Sequence, residues 1–194
     1  MKHTELATCI SLYEDVFDSS DVDRFLSDLQ EQIKSDWSDL TWDEGSTEGA
    51  KVSAYRSSLT CSMIPLMKPY EKTELSEFFT EKIRNPIEKV TEDYLSEFFL
   101  TTSAFEPYQL LKYMTHAEYK GHWDHSSSNS RVASMVAFLT APEEGGQLEF
   151  PRFNITIEAK CGSVVLFPSN FPYIHIAHPV TAGVKHSLVT WHQG

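Results

Sequence analysis

The sequence predicts an α+β protein in which helices pack outside a β-barrel, because the apolar pattern changes partway along the chain. Residues 1–106 are mostly helical in pattern, with one early strand. From residue 107 the apolar period becomes two, and short β-type runs alternate with Gly, Pro, Ser and Asn turns. No internal repeat or low-complexity linker divides the 194 residues. We therefore expect one domain over 1–194, with the barrel core at 107–194.

The first predicted helix lies in the segment SSDVDRFLSDLQEQIKSDW. Ser20 is placed to cap its N-terminus, with Asp23 at the spacing of a capping box. An apolar stripe at helical spacing follows, formed by Val22, Phe25, Leu26 and Leu29. This pattern predicts a helix with one face against a core.

A second helix is predicted to begin at Asn85 and Pro86. Proline at a first helical position gives up an N–H that would have no partner there. Apolar residues follow at helical spacing: Ile87, Val90, Tyr94, Leu95 and Phe98. Before this helix, the segment KVSAYRSSLTCSMI alternates enough to contain the early strand.

Six short runs in the second half predict strands. They are YQLLKYM, RVASMVAFLT, GQLEF, NITIE, GSVVLF and KHSLVTWH. Short strands at this spacing are typical of a sandwich or a barrel.

Composition and charge exclude several classes of function. The formal net charge is −12 and basic clusters are absent, which argues against nucleic-acid binding. No run approaches the roughly 20 apolar residues of a membrane span, and the N-terminus lacks the layout of a secretory signal. The three cysteines are widely spaced, with no CxxC pair for structural zinc. We therefore expect a cytoplasmic protein without nucleic-acid or membrane partners.

Metal-capable side chains concentrate in the second half, where all the histidines except His3 lie. The stretch HAEYKGHWDH contains three of them. On an extended strand, residues i and i+2 point to the same face, so His122 and Asp124 can bind one ion together. His125 would point to the opposite face. This pattern predicts a metal site that includes His122 and Asp124.

A third ligand must come from another part of the chain, and four histidines are available for it: His175, His178, His186 and His192. Two imidazoles and one carboxylate leave three coordination positions open, as in non-haem Fe(II) oxygenases. Zinc favours a closed tetrahedral site, or three protein ligands with a water. The donor set favours iron, with zinc as the alternative.

Lys185 lies in GVKHSLVTW, a run that is otherwise apolar at alternate positions. A buried ammonium is costly without a partner. If the iron bound a keto acid with two carboxylates, the far carboxylate would supply that partner. The alternative is a lysine that extends from a strand end into solvent.

Four ordered motifs and one shorter element resemble the 2-oxoglutarate/Fe(II)-dependent dioxygenases of the prolyl 4-hydroxylase type. The motifs are YMTHAEYKGHWD, RVASMVAFLTAPEEGGQLEFP, CGSVVLFPS and HIAHPVTAGVKHSLVTW. The segment YRSS at 55–58 is similar to an Arg-Ser element that precedes the barrel in this family. The resemblance covers about residues 50–194 and implies a double-stranded β-helix, that is, a jelly-roll or cupin-like barrel, with supporting N-terminal helices.

Carried over by motif, the resemblance implies the iron ligands His122, Asp124 and His175. His175 is preferred over His178 because it stands ten residues before Lys185, the family's interval to its 2-oxoglutarate-binding cation. The resemblance also implies a cosubstrate pocket lined by Lys185, Tyr113, Trp191 and Ser187. Arg131 and Arg56 are implied as substrate-binding residues.

Two positions depart from the family pattern. Phe138 occupies a position that often holds a tyrosine bonded to the far carboxylate, so Lys185, with Ser187, would carry more of the binding. His116 stands where the family usually has glycine, which allows a positive φ. The loop before the metal strand is therefore expected to follow a different path.

The resemblance implies an oxygenase that uses Fe(II), 2-oxoglutarate and O2, with ascorbate as a further candidate. It would hydroxylate an unactivated C–H, first of all on a prolyl residue of a peptide or protein, while 2-oxoglutarate is decarboxylated to succinate. An acidic residue at position 124 favours hydroxylation over halogenation. The alternatives are a hydroxylase of a free amino acid or other small molecule, a non-catalytic jelly-roll binding protein, and a metal-dependent hydrolase with Glu149 as base. The substrate and the oligomeric state stay open.

Overall fold

A computed structural model describes residues 1–34, 39–44, 55–68, 70 and 72–194. The helices are α1 (Ser19–Ile33), α2 (Ile64–Met67), α3 (Glu74–Phe79) and α4 (Asn85–Glu97), with a π-helical turn at Thr80–Arg84 between α3 and α4. Within the described ranges, no helix combines the length and the apolar character that crossing a membrane requires.

Most of the strands follow residue 104. The strands are β1 (Lys2–Ala7), β2 (Ile10–Glu14), β3 (Asp43–Glu44), β4 (Leu59–Ser62), β5 (Ala104–Phe105), β6 (Gln109–Tyr113), β7 (Tyr119–His122), β8 (Arg131–Thr140), β9 (Glu144–Gly145), β10 (Leu148–Phe150), β11 (Ile155–Ile157), β12 (Ser163–Pro168), β13 (His175–Ala177), β14 (Val180–Ala182) and β15 (Lys185–Gln193). All six predicted runs of the second half contain a strand. The early strand is β4; residues 51–54 of its segment lie outside the described residues.

Two large sheets form the barrel. The major sheet has nine strands in the order β1-β2-β12-β8-β15-β6-β4-β3, with β5 paired to β15. The minor sheet has four strands in the order β11-β10-β13-β7, and β14 pairs with β9 in a third, two-stranded sheet. All of these pairings are antiparallel.

The two faces of the major sheet are distinguished by strict alternation along its central strands. On β8, Ala133, Met135, Ala137 and Leu139 pack in one core with the helices. That core also contains Phe25, Phe79, Ile87, Val90 and Tyr94 from the helical segments. The intervening residues of β8 and β15 face the interior of the barrel, where a cavity opens. The period of two therefore decides which side chains can reach the site.

The N-terminal residues form a hairpin that the sequence pattern did not predict. β1 and β2 pair in the register Lys2↔Glu14 to Ala7↔Ile10, and β2 extends the major sheet beside β12. The turn has no Asn-Gly or Asp-Gly signature; Cys9 takes a φ of 58° instead. The prediction of helices with one early strand over 1–106 is therefore incomplete.

One predicted helix start is wrong in detail. The N-cap of α1 is Asp18, and the helix begins at Ser19, so Ser20 lies inside the helix and does not cap it. The buried stripe is nevertheless the predicted one, with Val22, Phe25 and Leu29 in the core. Residues 35–38, at the end of the predicted segment, lie outside the described part of the chain.

α4 begins at Asn85 with Pro86 in its first turn, as predicted, but the chain before it is already helical from Glu74. A proline inside a helix removes one backbone hydrogen bond. Here a π-helical turn precedes it, in which the N–H of Asn85 bonds to the carbonyl of Thr80, five residues earlier. This wider turn joins α3 to α4, so the predicted apolar stripe of α4 belongs to a longer helical segment that begins at Glu74.

Candidate metal centre

Three polar side chains converge inside the barrel from two neighbouring strands. β7 and β13 pair so that His122 stands opposite His175, and Asp124 follows two residues after β7 ends. Among the described residues, these three form the only group of three or more metal-capable side chains whose donor atoms all lie within 4.8 Å of one another. Asp124 Oδ1 is 3.6 Å from His122 Nε2, and Asp124 Oδ2 is 3.7 Å from His175 Nε2.

The spacing of these atoms would allow all three side chains to bind one divalent metal ion. Ligands at about 2.1 Å from a metal and at right angles to one another are roughly 3 Å apart. The observed 3.6 and 3.7 Å are close to that spacing. Two imidazoles and one carboxylate are the donor set that non-haem iron enzymes use with open positions.

Each imidazole is held with the correct nitrogen toward the shared space. His122 Nδ1 lies 2.8 Å from the carbonyl oxygen of Lys120, and His175 Nδ1 lies 3.2 Å from that of Tyr173. A carbonyl only accepts, so Nδ1 carries the hydrogen and Nε2 keeps its lone pair for a metal. The ring of Tyr119 stacks on His122 at 3.5 Å between centroids, which fixes the orientation of the ring.

The electrostatics keep the site in the form that binds metal. Burial, followed by the neighbouring His175, lowers the pKa of His122 to about 3, so its imidazole is neutral at physiological pH. Burial alone would raise the pKa of Asp124. His175 and His122, with hydrogen bonds from Ser134 and Trp191, together outweigh burial and hold that pKa below its usual value.

The other three candidates for the third ligand, His178, His186 and His192, contact other side chains. His178 Nε2 is 2.6 Å from Glu149 Oε2, His186 Nδ1 is 3.1 Å from the Thr140 hydroxyl, and His192 packs near Phe105. His125 was expected to point away, and it does not belong to the cluster, although it lines the same cavity. Its Nδ1 lies 3.0 Å from the carbonyl oxygen of Arg131.

A cavity of about 380 Å³ connects the cluster to Lys185. This volume is within the range of small-ligand pockets. Lys185 is 2% exposed. Its ammonium donates to the Gly146 carbonyl at 2.6 Å and lies 4.3 Å from the centroid of the Tyr113 ring. Burial lowers the pKa of Lys185 to about 8. The expected burial of Lys185 is observed, and no described carboxylate forms an ion pair with it.

Tyr113 and Ser187 line the cavity next to Lys185, on the paired strands β6 and β15. Phe138 lies beside them, in register with Ser187, and brings no hydroxyl. Arg56 also lines the cavity. It is buried, donates to the hydroxyl of Ser58 at 3.0 Å and lies 5.0 Å from the Tyr119 ring centroid.

Arg131 and Trp191 form the other wall of the cavity near the metal cluster. The Arg131 guanidinium lies 3.8 Å from the Trp191 ring centroid and donates to the Asp124 carbonyl at 3.3 Å. It also donates twice to the carboxylate of Glu106, each time at 2.5 Å. Glu106 was missed by sequence reasoning, because a lone acid before a strand gives no signal of an ion pair 25 residues away.

His116 keeps the conformation that a glycine would favour, with a φ of 72°. The expected change of path in this loop is therefore not what the backbone shows at this residue. Histidine is among the side chains that tolerate the left-handed region better than most. The His116 N–H bonds to the carbonyl of Val180 at 2.7 Å and ties the loop to β14.

Sequence comparison gives the first independent link to known proteins. Residues 108–193 match the 2OG-Fe(II) oxygenase superfamily. Over 144 residues the chain is 26% identical to a protein of Arabidopsis thaliana named probable prolyl 4-hydroxylase 3. That alignment covers 57% of this chain and 49% of the plant protein, so the chain matches about half the length of its curated relative.

Solved structures extend the likeness to almost the whole fold. A prolyl-4-hydroxylase of Pseudomonas putida superposes with a TM-score of 0.72 at 16% identity, covering 96% of this chain and 93% of that one. The collagen prolyl hydroxylase of Paramecium bursaria Chlorella virus-1, in its 2-oxoglutarate complex, gives 0.67 at 17% identity and covers 96% of both chains. A prolyl hydroxylase of Trichoplax adhaerens, bound to a peptide of hypoxia inducible factor, gives 0.72 at 14% identity and covers 95% and 83%.

These likenesses confirm the predicted α+β fold, a double-stranded β-helix with supporting helices. The superfamily whose sequence pattern matches uses Fe(II) and 2-oxoglutarate, and the three convergent side chains are a donor set that could hold that iron. The sequence match over residues 108–193, the fold and the convergence of His122, Asp124 and His175 therefore agree in their likeness to 2-oxoglutarate/Fe(II) oxygenases of the prolyl hydroxylase type.

Proposed function

We propose that this protein is a 2-oxoglutarate-dependent oxygenase that hydroxylates an unactivated C–H, on a prolyl residue of a peptide or protein. In this proposal His122, Asp124 and His175 hold Fe(II), which with 2-oxoglutarate and O2 supplies the oxidising chemistry. The observation that carries the proposal is the presence of the three-residue cluster and a buried lysine in one cavity.

Lys185 is assigned to the far carboxylate of 2-oxoglutarate. Its ammonium uses one donor on the Gly146 carbonyl, and burial has lowered its pKa to about 8. A carboxylate placed beside it would favour the charged form and offset the cost of burial. Ser187 and Tyr113 lie on the same inner face and would complete the pocket with a hydroxyl and a ring.

Trp191 and the two arginines are assigned to the wall that meets cosubstrate and substrate. Trp191 lines the cavity, and the Arg131 guanidinium lies over its ring at 3.8 Å from the centroid. Arg131 is held by Glu106, so it presents a fixed cationic edge to the cavity. Arg56 lies on the opposite wall beside Tyr119, the ring that stacks on His122.

The names of the relatives support a prolyl substrate. The plant relative is named a prolyl 4-hydroxylase, and the Trichoplax structure holds a peptide. Glu149 offers little support for the hydrolase alternative, because its carboxylate accepts from His178 and does not line the cavity.

Turnover of labelled 2-oxoglutarate tests the activity. The protein is incubated with Fe(II), ascorbate and carboxyl-labelled 2-oxoglutarate, together with proline-containing peptides, and both released CO2 and a gain of one oxygen in the peptides are measured. We expect both signals, and neither from Asp124→Ala. Release of CO2 without any oxidised peptide, but with oxidised free proline, would replace the peptide substrate with an amino acid. No CO2 release under any condition would contradict the proposal.

A further inference from the structure

The hydroxyl of Ser134, on β8, forms a short hydrogen bond with the carboxylate of Asp124. Ser134 Oγ donates to Asp124 Oδ2 at 2.6 Å. Hydrogen bonds to a charged acceptor are shorter and stronger than neutral ones. Ser134 is 1% exposed, so no bulk water competes for this bond.

The position of Ser134 on its strand shows why this hydroxyl is unusual. Ser134, Val136 and Phe138 alternate with the helix-facing residues of β8, and the latter two bring only apolar groups to the interior. A buried hydroxyl on such a face requires a partner, since an unsatisfied one costs free energy. Its partner is one oxygen of the acid that belongs to the metal cluster.

Ser169, the residue directly after β12, supports the same bond. Its hydroxyl lies 2.9 Å from that of Ser134, and because the Ser134 proton goes to Asp124, the Ser169 hydroxyl is the donor in this second bond. The Ser169 carbonyl also accepts the backbone N–H groups of Asp124 and His125, each at 2.9 Å. Hydrogen bonds that are linked in a chain polarise one another, and this chain runs from Ser169 through Ser134 to Asp124 Oδ2.

The consequence concerns how many oxygens Asp124 can give to a metal. A carboxylate can bind a cation through one oxygen or through both. Two-oxygen binding would use one of the three positions that a cosubstrate and O2 need. Oδ2 is engaged by Ser134 and also lies 3.7 Å from His175 Nε2. Oδ1 is the oxygen that this hydroxyl leaves open, and it lies 3.6 Å from His122 Nε2.

We propose that Ser134, supported by Ser169, is a positioning residue that makes Asp124 a one-oxygen metal ligand through Oδ1. This inference rests on the proposed function, in which Asp124 binds iron. It concerns geometry around the metal and not contact with substrate.

Anaerobic titration of the metal-free protein with Co(II) tests the inference, because the visible absorption of cobalt reports its coordination number. The variants are Ser134→Ala and Ser134→Thr, which keeps the hydroxyl. Ser11→Ala is the matched control, since Ser11 is a buried serine of the same sheet whose hydroxyl has no hydrogen-bond partner. Loss of an outer hydrogen bond to a ligand typically weakens metal binding about 10- to 100-fold.

We expect Ser134→Ala to bind Co(II) about 10-fold or more weakly with an altered spectrum, and Ser134→Thr and Ser11→Ala to behave like the wild type. Wild-type affinity and spectrum in Ser134→Ala would overturn the inference, and so would Ser134→Thr that fails to restore binding while its fold is intact. Ser169→Ala, followed in the same titration, is expected to weaken binding less. If the wild type itself binds no metal, the proposed function fails before this question arises.

Discussion

The two ends of the cavity differ in how many hydrogen-bond partners the protein gives to the buried ionisable groups. At the metal end, every ionisable group has partners: the histidines bond to carbonyl groups, and Asp124 accepts from Ser134. At the other end, Lys185 has one carbonyl and the face of a ring. The metal end is therefore preorganised, whereas the lysine end gains its missing partner only from a ligand.

The largest expected effect is at the preorganised end. Replacing His175 by alanine removes one of three convergent donors, and we expect metal affinity to fall by at least about 100-fold, beyond the usual loss of an outer partner. His178→Ala is the matched control, three residues away and bonded to Glu149. Isothermal titration with Co(II) measures both. Equal loss in the two variants would contradict the assignment of His175.

The second effect concerns the unpaired ammonium. In Lys185→Met, the apparent KM for 2-oxoglutarate should rise by about 30-fold or more, because loss of a buried charge partner costs about 2–5 kcal/mol. The same variant, without ligand, should unfold at a higher temperature, since a costly buried charge has been removed. Steady-state kinetics and thermal unfolding measure the two. An unchanged KM would remove Lys185 from the cosubstrate site.

A pH series distinguishes the two ends without any mutation. The dicarboxylate binds the ammonium form, and the pKa of Lys185 is about 8 in the free protein. Affinity for 2-oxoglutarate should therefore stay level below pH 8 and fall up to tenfold per unit above it. His122, with its pKa near 3, stays neutral across this range, so its state as a metal ligand does not change.

In the ligand-free protein, the free energy of unfolding should rise with pH above pH 8, whereas the affinity for 2-oxoglutarate falls. The folded pKa of Lys185 lies below the unfolded value of about 10.5, so the folded state binds fewer protons between the two. Its burial penalty is present in full below pH 8 and is relieved as pH rises toward 10.5.

The predicted pH dependence of 2-oxoglutarate affinity is checked by measuring binding with fluorescence from pH 6 to pH 9.5. A flat profile would contradict it.

The smallest effect is a gain at the lysine end. Phe138→Tyr would place a hydroxyl beside Lys185 and Ser187, where the protein offers few donors. A hydrogen bond to a charged group contributes about 1.5–3 kcal/mol, and the cost of fitting the extra atom reduces it. We expect the KM for 2-oxoglutarate to fall about threefold. Kinetics on Phe138→Tyr beside Phe138→Leu separate the hydroxyl from changes in packing.

Prediction from sequence worked best where a pattern reports on burial. The period of two predicted six strands of the second half, though not the short β7 and β13, and it correctly placed Lys185 on a buried face. It failed at the N-terminal hairpin, because β1 is an exposed edge strand and its turn uses Cys9 where a glycine signal would be looked for. It also did not indicate that the chain is already helical before Asn85, since a π-helical turn is set by packing and leaves no mark in the apolar spacing.

By itself the sequence determined the alternation of strand faces, the donor types of His122 and Asp124, and the presence of a lysine on an apolar strand. It could not choose among His175, His178, His186 and His192 by spacing, and the choice there came from resemblance. Only the tertiary structure decided that β13 lies beside β7, that Glu106 holds Arg131, and that Ser134 and Ser169 reach Asp124. The reason is physical: side-chain type and period are local properties of the chain, whereas the meeting of atoms from distant segments depends on how the sheets close on each other.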